Sequence, residues 1–164
     1  MLLSISGEEK SWKSTFALTA PLPIVLFAYD IGYDRAIKGA LWDKYFSNLK
    51  IETIKYERDI SKSIEIANKW SGNDITIFEL PSPIQMDSSR IQGYIRLWDY
   101  FIGLLGMVVS DSSVCTTVVD TMTIARRVKA DAYLEELNNR PGETLRKQLL
   151  QIEYGHPNGA IENI

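Results

Sequence analysis

The sequence predicts an α/β fold, a mostly parallel sheet with helices on both faces. Three observations carry that reading. Short apolar runs alternate with stretches in which apolar residues recur every three to four positions, the β-α-β-α order that forms a parallel sheet through right-handed crossovers. The run IVLFAY (24–29) is almost unbroken, as expected of a strand covered on both faces. At 164 residues the chain is also long enough for one domain with a real core, burying roughly two-thirds of its unfolded surface.

Taken in order, residues 2–6 are a short apolar run ending at Gly7 and are expected to form the first strand, with the first helix at 13–19 stopped before Pro21 and Pro23. The strand at 24–29 ends at Asp30, followed by Ile31 and Gly32. A helix is expected over 34–46 from the stripe Ala36, Ile37, Ala40, Leu41 and Tyr45, then a strand over 51–56 and a helix over 61–70 on Ile64, Ala67 and Trp70. DITIFELP, opening at Asp74, alternates as a strand until Pro81 and Pro83 end it. Residues 88–107 carry Ile91, Tyr94, Ile95, Trp98, Phe101, Ile102 and Leu105 at helical spacing, which predicts a core-facing helix. The β-branched run 114–119 ends at Asp120, and helices are expected at 122–137 and 143–154, parted by Asn138-Asn139-Arg140-Pro141-Gly142. Residues 1–164 read as a single domain without internal repeats.

Composition narrows the function. Hydrophobic residues are 45% and charged residues 24% of the chain, the balance of a soluble globular protein. The opening MLLSIS is too short for a signal-peptide core and lacks a basic leader, and no apolar run reaches the roughly 18 residues of a membrane span, so a cytoplasmic location with no membrane partner is expected. A single cysteine, Cys115, excludes an internal disulfide, and a single histidine, His156, leaves a zinc or haem site without ligands. A hard, oxygen-liking cation such as magnesium remains. The net charge of −3 argues against an isolated nucleic-acid binder, although a local basic face stays open.

The chemistry concentrates in GEEKSWKST (7–15). Against the phosphate-loop pattern G-x-x-x-x-G-K-[ST], Gly7, Lys13 and Ser14 fall at the right spacing, and Trp12 stands where the second glycine would be. In such a loop the backbone N–H groups of the turn and of the following helix face phosphate oxygens, the lysine neutralises β- and γ-phosphate charge, and the hydroxyl holds magnesium. The nucleotide-contacting set is therefore Gly7, Glu8, Glu9, Lys10, Ser11, Trp12, Lys13, Ser14 and Thr15, with Lys10 adding positive charge. A Cβ at position 12 is expected to force an unfavourable φ costing on the order of 1 kcal/mol, which weakens the loop without abolishing it. VCTTVVD (114–120) resembles a Walker B strand ending in a magnesium-holding aspartate, diluted by Thr116 and Thr117.

Together GEEKSWKSTFALTAP, the strand IVLFAYD at short distance and TTVVDTMT resemble the phage-type, RecA-like P-loop nucleotide-binding proteins of phage replication and recombination modules. The resemblance covers about residues 2–127, of which 45–112 matches only in its alternation. It implies a P-loop NTPase of RecA-like fold that binds ATP with magnesium. It further implies weak or partner-dependent ATP hydrolysis, action on single-stranded DNA, and assembly as a homo-oligomer or with a recombination partner. Carried over by residue, Gly7 to Thr15 become the phosphate loop, Lys13 the catalytic cation, Ser14 and Asp120 the magnesium-holding pair, and Asp30 the acid that polarises the attacking water, one methylene shorter than the family's glutamate. Because the family's sheet continues further, a chain truncated at its C-terminus is expected, with an apolar edge exposed or covered by a partner.

Each assignment has a structural counterpart. Asp30 reads equally as an acid capping its own turn, and Asp120 as a strand-end cap. Arg126, Arg127, Lys129, Arg140, Arg146 and Lys147 make 121–150 locally positive, either as a DNA-docking face, with an arginine finger among them, or as a solvated helix surface. The alternative function is a degenerate P-loop scaffold that does not hydrolyse ATP. A nucleotide or nucleoside kinase ranks below both, since no arginine-rich lid is visible.

Overall fold

The computed structural model describes residues 3–8, 11–39, 43–57, 69–82, 92–142 and 144–164. Among them, β1 (Ile24–Ala28), β2 (Ile51–Lys55), β3 (Ile75–Glu79) and β4 (Thr116–Asp120) form an all-parallel sheet in the order β2-β3-β1-β4. The two central strands are the most apolar. Every residue of β1 is buried, and β3 is buried up to Glu79. At the edges β2 and β4 are only half-buried or exposed.

Because side chains alternate across a strand, the sheet feeds two cores. On one face Leu18 of α1 (Lys13–Leu18), Tyr33 and Ala36 of α2 (Gly32–Lys38) and Phe46 of α3 (Asp43–Phe46) pack on Ile24, Leu26, Ala28, Ile75 and Ile77. On the other face Leu97, Phe101 and Val108 of α4 (Tyr94–Ser110) and Ala125, Val128 and Ala132 of α5 (Met122–Asn138) pack on Val25, Phe27, Tyr29 and Phe78. The Phe27 ring lies 5.4 Å from Phe78, stacked, and 5.5 Å from Phe101, edge-on, the geometries aromatic quadrupoles favour.

The start of α4 is capped from outside. Gly93 sits at φ 88° with no side chain to offer, and the Glu135 carboxylate of α5 accepts the N–H groups of Gly93 and Ile95, each at 2.9 Å. A carboxylate at a helix N-terminus meets both the unpaired amides and the positive end of the dipole, which fixes α4 against α5. Beneath them the buried Lys129 ammonium lies 5.4 Å from the Trp98 ring centre and 3.6 Å from Glu136.

Four expectations are corrected. Residues 3–7 are not a strand: Leu3 and Ile5 are 60% and 42% exposed, so the apolar run has no face to bury. The helix expected over 34–46 is two helices, because the chain turns extended at Gly39 (ψ 130°); residues 40–42 lie outside the described set. The helix expected at 88–107 begins at Tyr94 and runs on to Ser110, with 88–91 outside the described residues. The last helix is displaced: 144–150 is irregular, Gln151–Tyr154 is a single 3₁₀ turn, and α6 is Gly155–Glu162. Side chains, not helix hydrogen bonds, hold that irregular stretch, through Asn138 pairing twice with the Arg146 backbone at 2.9 Å and Arg146 meeting Glu153 at 2.8 Å. The helix expected at 61–70 falls almost wholly outside the described residues, and Lys69 and Trp70 lie in a turn.

Candidate functional site at the carboxyl ends of the strands

In an open parallel sheet the strand carboxyl ends form the crevice where ligands bind, since loops and helix starts converge there. The register aligns Ala28 at the end of β1 with Glu79 on one side and Asp120 on the other. The ladder continues past the strands: the Tyr29 N–H donates to the Asp120 carbonyl at 2.7 Å and the Leu80 N–H to the Ala28 carbonyl at 2.8 Å.

α1 is brought to this edge by one contact. The Ser14 hydroxyl donates to Asp120 Oδ2 at 2.6 Å, joining residues 106 apart in the chain. Asp120 is not a helix cap. The residue after it, Thr121, fills that role, its hydroxyl accepting the Ile124 N–H at the start of α5. The Asp120 carboxylate is thus committed to Ser14.

Gly32, at the start of α2, closes the crevice. A Cβ there would stand 3.5 Å from Ser14 Oγ and 3.6 Å from Asp30 Oδ2, so Asp30 lies on the same side of the sheet as Ser14 and Asp120. Asp30 is exposed, and Ile31, the residue that caps α2, receives no side-chain bond, so Asp30 does not cap that helix. Glu79, half-buried at the end of β3, accepts the Tyr33 hydroxyl at 3.4 Å. Burial, then the charge and hydrogen bond of Glu79, raise the Tyr33 phenol above its ordinary value. Glu79 escaped the sequence reading, although its position as the last residue of ITIFE was the available signal.

The loop itself turns at Trp12. Trp12 has φ 64° and ψ 18°, the left-handed region, and among the described residues is the one non-glycine with positive φ. The backbone thus takes the conformation the missing glycine would supply, at a strain of order 1 kcal/mol. The indole is 57% exposed and points to no buried site. At Gly7 a Cβ would meet Ser11 Oγ at 2.8 Å, so a larger residue there would have to turn the Ser11 hydroxyl aside. The Lys13 ammonium folds back over the turn, donating to the carbonyls of Gly7 at 2.9 Å and Glu8 at 2.5 Å and to Ser11 Oγ at 3.1 Å. All three acceptors are neutral, which leaves a positive charge over the turn with no carboxylate paired to it among the described residues. Glu9 and Lys10 lie outside the described residues; Thr15 is buried behind the loop.

The donor set suits magnesium. A hydroxyl and a carboxylate oxygen side by side are hard ligands, and magnesium is commonly held by one or two carboxylates while waters and phosphate oxygens complete its shell. Among the described residues no cluster of three or more histidine, cysteine or acidic side chains offers a cation an all-protein cage.

The six basic residues of 121–150 differ in exposure and pairing. Lys129 is buried against Trp98 and Arg146 is bound to Glu153, while Arg126, Arg127, Arg140 and Lys147 are exposed. Among the described residues no helix is long and apolar enough to cross a membrane. No family model, curated protein or solved structure matches the chain.

Proposed function

We propose that the chain binds a nucleoside triphosphate, ATP, with magnesium at the turn from Gly7 to Thr15, as a variant P-loop protein of RecA-like type. The observation that carries the reading is the 2.6 Å bond from Ser14 to Asp120, because the sequence pattern separately nominates these two side chains as the magnesium-holding pair. Lys13 supports it, because its ammonium is bonded to neutral acceptors of the turn and to no carboxylate among the described residues, so it could exchange them for phosphate oxygens. When bound, magnesium would neutralise charge on the β- and γ-phosphates. Asp30, exposed beside Ser14, is the carboxylate offered to a water on the phosphate side, with Glu79 as the second acid along the strand ends.

Hydrolysis on this reading is weak or depends on a partner, in recombination or replication on single-stranded DNA, with a second copy or a recombination partner completing the site. The edge position of β4 favours such completion, since its outer side has no strand beside it among the described residues. A scaffold that keeps the loop's shape without hydrolysis is the second reading, favoured by the strained Trp12 and by the irregular 3–7 segment. Calorimetric titration of ATP with magnesium into the wild type and Lys13→Ala separates them. A wild-type affinity reduced about tenfold or more by the substitution supports nucleotide binding, as expected for loss of a charged hydrogen-bond donor. Equal, negligible heat for both removes it.

A further inference from the structure

Behind the strand-end crevice a second site is formed by α5 and the C-terminal segment. A groove of about 400 Å³ runs between Thr123, Arg127 and Asp131 on one wall and Lys147, Tyr154 and Asn158 on the other. Its volume falls within the range of small-molecule sites, about 300–1,000 Å³. We propose that this groove binds a small organic phosphate bearing a planar ring, of the nucleoside monophosphate class.

Charge argues for phosphate. The chain carries a net charge of −3, yet Arg126, Arg127 and Lys147 line this groove against Asp131. Arg126 is held in place by donating Nε–H to Asn158 Oδ1 at 2.9 Å, which leaves its terminal nitrogens without a protein partner among the described residues. Arg127 meets Asp131 only at 4.0 Å, and Lys147 has no ion-pair partner among the described residues. Burial raises the Asp131 carboxyl above its ordinary value, opposed by Arg127. A carboxylate ligand would answer one guanidinium. A phosphomonoester, with a charge of roughly −1.5 to −2 at neutral pH, answers the set.

The rest of the lining argues for a ring. Leu134 and Leu149, both buried, line it together with the aromatic Tyr154, which is 40% exposed. Stacking on such a side chain contributes about 1–3 kcal/mol per base. The site does not rest on the P-loop reading, because none of its residues belongs to the Gly7–Thr15 turn.

The test titrates adenosine monophosphate into the full chain carrying Lys13→Ala, without magnesium, followed by amide NMR. The expected result is saturable shifts at Thr123, Arg127, Leu149 and Asn158, with affinity lowered about tenfold or more by Lys147→Glu and by Arg127→Gln, each an exposed position. Inorganic phosphate should move the same amides at least about tenfold more weakly, since it lacks the ring. Absence of shifts at millimolar ligand, or shifts indifferent to both substitutions, overturns the proposal, and equal affinity for inorganic phosphate overturns its ring. Binding of a single-stranded oligonucleotide through these residues, with the monophosphate inert, would assign the groove to a polymer and also overturn it.

Discussion

On one face of the sheet two helices of 17 residues, α4 and α5, bury interlocked aromatic rings and cap one another through Glu135; on the other, α1 is only six residues long and leaves Phe16 58% exposed and Trp12 strained at its start. The long-helix face fixes where β1, β3 and β4 end. The short-helix face carries Lys13 and Ser14 on a short segment tied to the rest through Leu18 and the Ser14–Asp120 bond. The long-helix face aims the strand-end carboxylates, and the short turn brings the Ser14 hydroxyl to one of them, Asp120. Binding sites are drawn from low-stability regions, because they must open to admit a ligand.

That contrast is broken first by cutting each face in turn. Phe101→Ala should destabilise the fold by about 3–5 kcal/mol, since it removes a fully buried ring touching Phe27, Tyr29 and Trp98. Phe16→Ala should change stability by no more than about 0.5 kcal/mol. Denaturant unfolding of the two variants measures both, and similar losses would mean that the faces do not differ. A smaller effect sharpens the picture of the turn. Trp12→Gly and Trp12→Ala both lose the indole, but only glycine relieves the positive φ, so the glycine variant should be the more stable by about 1 kcal/mol, less any gain in unfolded-chain entropy. A glycine variant less stable than the alanine variant would show that the strain at position 12 is smaller than the entropy glycine adds to the unfolded chain.

The smallest effect is local and depends on pH. Glu153 is held below its ordinary value by the Leu150 N–H and by Arg146, so the ionised form favours the folded segment. The contribution is full above the ordinary glutamate value of 4.5 and is lost as the pH falls through the lower folded value. Protection from hydrogen exchange, taken relative to the intrinsic rate at each pH, should therefore fall at the Arg146 and Leu150 amides on acidification before the amides of β1 respond. Simultaneous loss of protection would contradict a separately held C-terminal segment.

Much of this was legible in the residues, for reasons that also explain the misses. IVLFA announced a central strand because a strand covered on both faces needs so continuous an apolar run, while DITIFELP announced a strand by its alternation without showing that it is central. The meeting of Ser14 with Asp120 was legible because the phosphate-loop and strand-end patterns, which restrict residue type and spacing, expect these two side chains together. The run at 2–6 misled because a short apolar run forms a strand only where a neighbouring strand accepts its hydrogen bonds, and apolar side chains alone do not supply one. At the other end, α6 contains Gly155, Pro157 and Gly159, a composition that argues against helix. It forms because Pro157 lies in the first turn, where its missing N–H costs nothing, and is buried in the groove against α5. Glu79 was hidden because its role depends on strand register, which one sequence does not display.

The central claim is that Ser14 and Asp120 form an oxygen pair poised for a magnesium-bound triphosphate. It is tested most directly by measuring ATP affinity with and without magnesium in the wild type and in Asp120→Asn. The account predicts that magnesium tightens binding to the wild type and that this enhancement is lost, with the fold intact, in Asp120→Asn. ATP binding that ignores magnesium in the wild type, or an enhancement that survives the substitution unchanged, would contradict it.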